Sequence, residues 1–359
     1  MGDIRRMFVA CNDTSARAGI LCFDLDVETG ALRPVGETRD IDSCLYLNRH
    51  PTLAVLYATG VRESVSVIQA FRIEQDGGLT WLGQQPTNGW EPCYVSITPD
   101  GRHALVVNYT GPEKAGSIVV FPLDRDGIPQ PATTWIQLEG NGVHQRQDAS
   151  HPHMITLMPD GKFVLVTDLG TDRLMIYRMI PQTGQLEPHT PPYLEIQTGS
   201  GPRHLDFHPD RRVLFVMSEL EPVITVISYD GEGRFEVVDT VPALPPEVQI
   251  PVNLGADIHV APSGRFVYVS NRGHNSLCVF AIDPVTNALS YAGHHTTLGD
   301  WPRGFALDPS GQVLVVANQR TDDLYSFIVD LAAGRLMATH HRIAAVMSDY
   351  QPSPLVEPS

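Results

Sequence analysis

Seven repeats of a four-strand unit, each about 50 residues long, predict an all-β fold of the seven-bladed β-propeller type with four-stranded blades. Short β-type runs end in an aromatic residue at Phe23, Phe71, Phe121, Tyr177, Tyr229, Phe280 and Phe327, at intervals of 47 to 56 residues. A turn signal and a further short apolar run follow each aromatic, as in TGALRPV, GGLTWLG and TGQLEPH. Upstream of most aromatics stand a strand, a Pro-Asp-Gly type turn and a second strand, as in YVSITPDGRHALVV, IHVAPSGRFVYV and FALDPSGQVLVV.

Lettered A to D in chain order, strands A and B of each unit flank the Pro-Asp-Gly type turn, and the aromatic closes strand C. The first unit has no strand A and begins at strand B with MFVACND. The tail QPSPLVEPS, residues 351–359, repeats the strand-A pattern of GPRHLDFHP, with Pro352 over Pro202 and Leu355 over Leu205. The C-terminal strand is therefore expected to pair with the N-terminal blade and close the ring, which removes the exposed sheet edge that β proteins must otherwise protect. On this reading residues 1–359 form a single domain and a monomer.

Composition removes several function classes. The chain has 25 Lys+Arg against 41 Asp+Glu, a formal net charge of −16, and no run of four basic residues. Phosphate-backbone binding needs clustered Lys and Arg, so a nucleic-acid partner is not expected. No apolar stretch reaches the roughly 18 residues of a membrane span, and the start MGDIRRMFVACND has no signal-peptide-like apolar segment. A cytoplasmic protein without a membrane partner is expected. The five cysteines, Cys11, Cys22, Cys44, Cys93 and Cys278, are scattered and contain no C-x-x-C pair, which reads as free thiols.

The repeat register points to one face. In antiparallel blades strand A begins where strand B ends. Aligned on the turn proline, the opening position of strand A holds Leu45, Cys93, His153, Arg203, Ala256, Arg303 and Ser353, and the closing position of strand B holds Val61, Tyr109, Leu169, Glu219, Arg272 and Gln319. His153, Arg203, Glu219, Arg272 and Arg303 thus come from four successive blades and are expected at one mouth of a central channel. Arginine forks bind carboxylate or phosphate in a bidentate manner, so three Arg beside one His and one Glu suggest a small anionic substrate with an acid or base at hand. His151 shares a strand side with His153, but no third ligand matches their register, so no metal is expected.

Inside strand A of two adjacent blades, His204 and Asp206 face Asp257 and His259 in swapped order. This predicts a His204–Asp257 and an Asp206–His259 contact, chiefly as hydrogen bonding between blades and otherwise as channel lining. His294 and His295 read as part of a D-to-A loop. Asn12, Asn108, Asp168, Asn271 and Asn318, one place before the end of strand B, read as turn-stabilising.

Across HPHMITLMPDGKFVLVTDLGTDRLMIY, GPRHLDFHPDRRVLFVMSELE, ADIHVAPSGRFVYVSNRGHNSLCVF and WPRGFALDPSGQVLVVANQRTDDL, the chain resembles the seven-bladed propeller lactonases over nearly its whole length. That family includes bacterial 6-phosphogluconolactonases and fungal 3-carboxy-cis,cis-muconate lactonizing enzymes. The resemblance implies a metal-independent enzyme without cofactor, with catalytic residues His153 (or His151), Arg203, Glu219 and Arg272. His151, Arg303, His204, His259 and Asp257 are taken as substrate-side residues. His153 or Glu219 would serve as base and Arg203 or Arg272 as oxyanion and carboxylate clamp. The expected activity is hydrolysis of a small anionic sugar lactone such as 6-phosphogluconolactone. The alternatives are lactonization of a carboxymuconate-type dicarboxylate, hydrolysis of an unphosphorylated lactone, and a non-catalytic binding propeller.

Overall fold

Strand B of each repeat is apolar at nearly every position, and such a strand must be covered on both faces. In the computed structural model, which describes residues 3–11, 19–39, 41–344 and 354–356, that is its position. The strands Phe163–Asp168, Val213–Ser218 and Val313–Asn318 are buried at all their residues. The D strands carry the polar alternation instead, as in Leu289–Thr296, and expose every second residue or more.

The strands form seven four-stranded antiparallel sheets, a seven-bladed β-propeller of the all-β class. Six of the sheets use consecutive strands. In the seventh, the strand Pro354–Val356 pairs with Ile4–Cys11, setting Leu355 opposite Phe8, so the C-terminal strand supplies the missing strand A of the first blade. Pro352, Ser353 and Asn12 lie outside the described residues.

The chain divides into two compact units, Thr38–Arg203 and Met1–Glu37 with His204–Ser359. In the first, Val55, Tyr57, Val95, Val106, Val119 and Phe121 belong to one apolar core between neighbouring sheets. In the second, Phe215, Met217, Val226, Ile258, Val269 and Phe280 do the same for the sheets around 202–242 and 254–296.

Polar staples tie sheets together at the A–B turns. His208 Nε2 donates to the carbonyl of Gly264 at 2.9 Å, and His50 Nε2 does likewise to Gly101 at 3.1 Å. Gly264 and Gly101 hold φ of 66° and 68°, and a Cβ on either would lie within 2.6 Å of the histidine ring, so the turn glycine meets two requirements at once. The register asparagines act as expected. Asn108, Asn271 and Asn318 donate from Nδ2 to the carbonyls of Thr87, Ala243 and Thr297. His294 and His295 correct the expected loop: both belong to the strand Leu289–Thr296, where His294 pairs with Cys278 and His295 with Leu277, because the ladder continues past the shift between Val279 and Phe280.

Candidate active site

Glu219 directly follows the strand Val213–Ser218, and Arg272 ends the strand Phe266–Arg272. Arg272 Nη2 donates to Glu219 Oε2 at 2.8 Å and to the Gly255 carbonyl at 2.5 Å. The Gly255 amide in turn donates to the Glu219 carbonyl at 2.9 Å. A Cβ on Gly255 would lie 2.1 Å from the Ser218 carbonyl oxygen and 2.5 Å from the Met217 methyl, so only glycine lets the two sheets approach closely enough to join this pair. Both charged side chains are almost fully buried, at 3% and 2% exposure. Burying two ions costs several kcal/mol per ion before their attraction offsets it, and a well-packed apolar pair is commonly no less stable. Stability alone therefore gives no reason to keep this pair.

Beside it stands Trp301, which the sequence reading passed over. Trp301 holds φ at 68°, a left-handed conformation unusual for a bulky residue. Three contacts hold it there: its amide donates to Asn275 Oδ1 at 3.0 Å, its carbonyl accepts from the Gln319 amide at 3.0 Å, and the Arg320 amide donates to Asp300 at 3.1 Å. The guanidinium carbon of Arg320 sits 3.5 Å from the indole ring centre and that of Arg272 sits 5.8 Å from it. One signal was available in the sequence: Trp301 precedes the opening proline Pro302 as His151 precedes Pro152. Arg303 lies partly buried in the strand Pro302–Leu307.

The strand-A cluster assembles, with one change. His204 Nδ1 and Asp257 Oδ1 are 2.7 Å apart, as the swapped order predicts. His259, however, leans to Asp257 (Nε2 to Oδ2, 3.4 Å) more than to Asp206 (3.9 Å). Asp206 accepts instead from the amides of Val260 and Phe207. Burial of the His259 ring opposes its charge, but Asp257 and then Asp206 outweigh burial and raise its pKa to about 9. Burial likewise opposes the Asp257 charge, yet His259 and His204 hold its carboxyl well below the usual range, whereas burial pushes Asp206 up.

In the unit Thr38–Arg203, His151 stacks on Tyr109 with ring centres 4.6 Å apart. Its Nδ1 lies 3.0 Å from the Tyr109 carbonyl oxygen and its Nε2 3.2 Å from Asp148. Lys114 and then His151 hold the Asp148 pKa down at about 2. His153 is buried and meets Tyr109 edge-on at 5.8 Å. Arg203 is fully buried, and its carbonyl accepts the Thr167 hydroxyl at 2.6 Å. Asp168 accepts from Ser150, from the His151 amide and from the Gly170 amide, which fits the turn-stabilising role. Among the described residues no group of three or more His, Cys, Asp or Glu side chains is arranged to hold a metal ion, and no helix is long and apolar enough to cross a membrane.

Comparison with known proteins decides the family. A family model described as "Lactonase, 7-bladed beta-propeller" matches residues 6–348. The chain belongs to the seven-bladed β-propeller lactonases. Within them it is 32% identical over 324 residues to a 6-phosphogluconolactonase of Bacillus subtilis, covering 89% of each chain. It is 29% identical over 339 residues to a 6-phosphogluconolactonase of Formosa agariphila, covering 92% of this chain and 94% of that one. Among solved structures, a periplasmic gluconolactonase of Pseudomonas aeruginosa superposes with a TM-score of 0.92 at 28% identity over 99% of both chains. As a lactonase the chain is a carboxylic-ester hydrolase acting on lactones.

Proposed function

We propose that this lactonase hydrolyses an anionic sugar lactone of the 6-phosphogluconolactone kind, with Glu219 and Arg272 at the reacting carbonyl. The buried 2.8 Å ion pair carries this reading, since the family is one of lactonases and the pair has no stability rationale of its own. The names of the Bacillus and Formosa relatives support the phosphorylated substrate.

Ring opening needs a base for water and a donor for the developing oxyanion. Glu219 would take a proton as the water oxygen bonds to the ring carbonyl carbon. The carbonyl oxygen, now an alkoxide, would be met by Arg272, a guanidinium with five N–H donors whose plane is fixed through Glu219 and Gly255. Collapse reforms the C=O, breaks the bond to the ring oxygen, and returns the proton from Glu219 to that oxygen, leaving a hydroxy acid. A carboxylate paired with arginine is a weak base, and a strained sugar δ-lactone is an electrophile that a weak base can serve.

His153 (or His151) and Arg203 are proposed as further catalytic residues, and His151 and Arg303 as substrate contacts, on the repeat register and the family resemblance. The test is hydrolysis of 6-phosphogluconolactone, unphosphorylated gluconolactone and muconolactone-type compounds by the wild type and by Glu219→Gln, with and without chelator. We expect turnover of the phosphorylated lactone that chelator leaves intact and that falls at least ~100-fold in the variant. Equal turnover by both proteins would remove Glu219 from the chemistry. No turnover of any lactone by the wild type would overturn the substrate reading.

A further inference from the structure

Glu219, Arg272 and Gln319 occupy the same closing position of strand B in three successive sheets. Two of the three carry the chemistry proposed above. The third, with the residue after it, has no role in that scheme, yet the structure spends backbone strain and a buried polar atom on it.

Three observations concern this place. Arg320 is more than half exposed, and its guanidinium carbon sits 3.5 Å from the Trp301 ring centre, a cation–π contact that restrains an otherwise mobile side chain. Its ion-pair contact to Asp300 is 3.8 Å, longer than a hydrogen bond. The Gln319 Oε1 is buried and accepts no hydrogen bond among the described residues. A buried acceptor left without a donor is costly, which favours a ligand that brings a hydroxyl to it.

Trp301 sets the distance. Because 3.5 Å and 5.8 Å separate the guanidinium carbons of Arg320 and Arg272 from one indole ring, the two cations lie within about the length of a six-carbon sugar phosphate of each other. The left-handed backbone at Trp301, held by Asn275, Gln319 and Asp300, is what keeps the ring in reach of both.

Resting on the functional reading above and extending it, we propose that Arg320 is the residue that reads the exocyclic phosphate of the substrate, with Gln319 accepting a sugar hydroxyl and Trp301 as the positioning residue that holds Arg320 at its distance from Arg272. A guanidinium so placed has N–H donors left to pair with phosphate oxygens. Substrate selectivity would then be set by the turn after the strand Val313–Asn318 and not by the reacting pair.

The test compares kcat/KM for 6-phosphogluconolactone and gluconolactone in the wild type, Arg320→Gln, Arg320→Lys and Trp301→Leu. We expect the phosphorylated-to-unphosphorylated ratio to fall about 10- to 100-fold in Arg320→Gln, mostly through KM. Arg320→Lys, which keeps charge but not the planar fork, should recover part of the ratio, and Trp301→Leu should lower it by a smaller factor. A ratio that stays within about threefold of wild type in Arg320→Gln overturns the inference while leaving the lactonase reading intact. Calorimetric binding of 6-phosphogluconate against gluconate tests the inference without turnover. A preference for the phosphorylated acid that Arg320→Gln abolishes supports it even if the wild type hydrolyses neither lactone, and no such preference in the wild type overturns it.

Discussion

Two buried charge clusters bridge the same two sheets, those around 202–242 and 254–296, and they are built in opposite ways. Glu219 and Arg272 meet at strand ends, where Arg272 also donates to a backbone carbonyl. The His204, Asp206, Asp257 and His259 cluster lies within the strands, and main-chain amides fill its carboxylates: Ile258 and Phe305 donate to Asp257, Val260 and Phe207 to Asp206. A carboxylate that accepts from amides of its own and neighbouring sheets is committed to holding them together. A carboxylate paired at the end of a strand with a guanidinium, which carries five N–H donors, stands beside donors that a substrate's developing charge can share. Position along the strand, more than charge or burial, separates a cluster suited to reaction from one suited to structure.

The sharpest way to break this comparison is to remove each cluster and read both activity and stability. Replacing Glu219 by Leu and Arg272 by Met together should abolish lactone hydrolysis, by at least ~100-fold. The same double variant should unfold no more easily than wild type, and an ion pair replaced by apolar packing can gain about 1–4 kcal/mol, as a denaturant titration would show. Asp257→Ala should behave in the opposite sense. Two histidines and two amides lose their acceptor, so stability should fall by about 3 kcal/mol while kcat on the folded fraction changes little. Should Asp257→Ala instead lose activity at unchanged stability, the strand-A cluster would belong with the substrate and line the channel.

A finer test uses pH. His259 has its pKa raised from 6.5 to about 9, so its contribution to folding is complete below pH 6.5 and is lost as pH climbs through 9. The ring is one-third exposed, which limits the size of the effect through solvent screening. The Tm of wild type should therefore decline between pH 6.5 and 9 more steeply than that of His259→Gln. Parallel curves would mean that the Asp257–His259 contact does not hold in solution.

Much of this was legible in the sequence, and the illegible part has a common cause. The seven aromatics, the Pro-Asp-Gly type turns and the C-terminal strand A follow from local patterns of period two and from turn chemistry, and all of them appear in the sheets. The Glu219–Arg272 pair followed from register because both residues sit at strand ends, where counting from the turn is reliable. The expected Asp206–His259 contact is present at 3.9 Å, but the closer approach of His259 to Asp257 did not follow. The pairing of Leu254–Val260 with Phe266–Arg272 skips between Gly255 and Ile258, and this bulge turns Asp257 toward both histidines. The Trp301–Arg320 stack was hidden because it depends on the sign of one φ angle, which no residue-type pattern at Asp300–Trp301 announces.

The smallest effect concerns histidines again, with the opposite sign of pH dependence. His208 donates from Nε2 to the Gly264 carbonyl and accepts the Asp210 amide at Nδ1 (3.1 Å), an arrangement open only to the neutral ring. Burial accordingly lowers its pKa from 6.5. In the unfolded chain the ring takes its proton at the ordinary pH, so the His208 contribution is present above about 6.5 and is lost as pH falls below it. His208→Gln should cost about 1 kcal/mol near neutrality and should flatten the decline of Tm on the acid side, whereas His259→Gln flattens the alkaline side. A protein with both substitutions should lose both slopes independently, because the two rings share no partner among the described contacts.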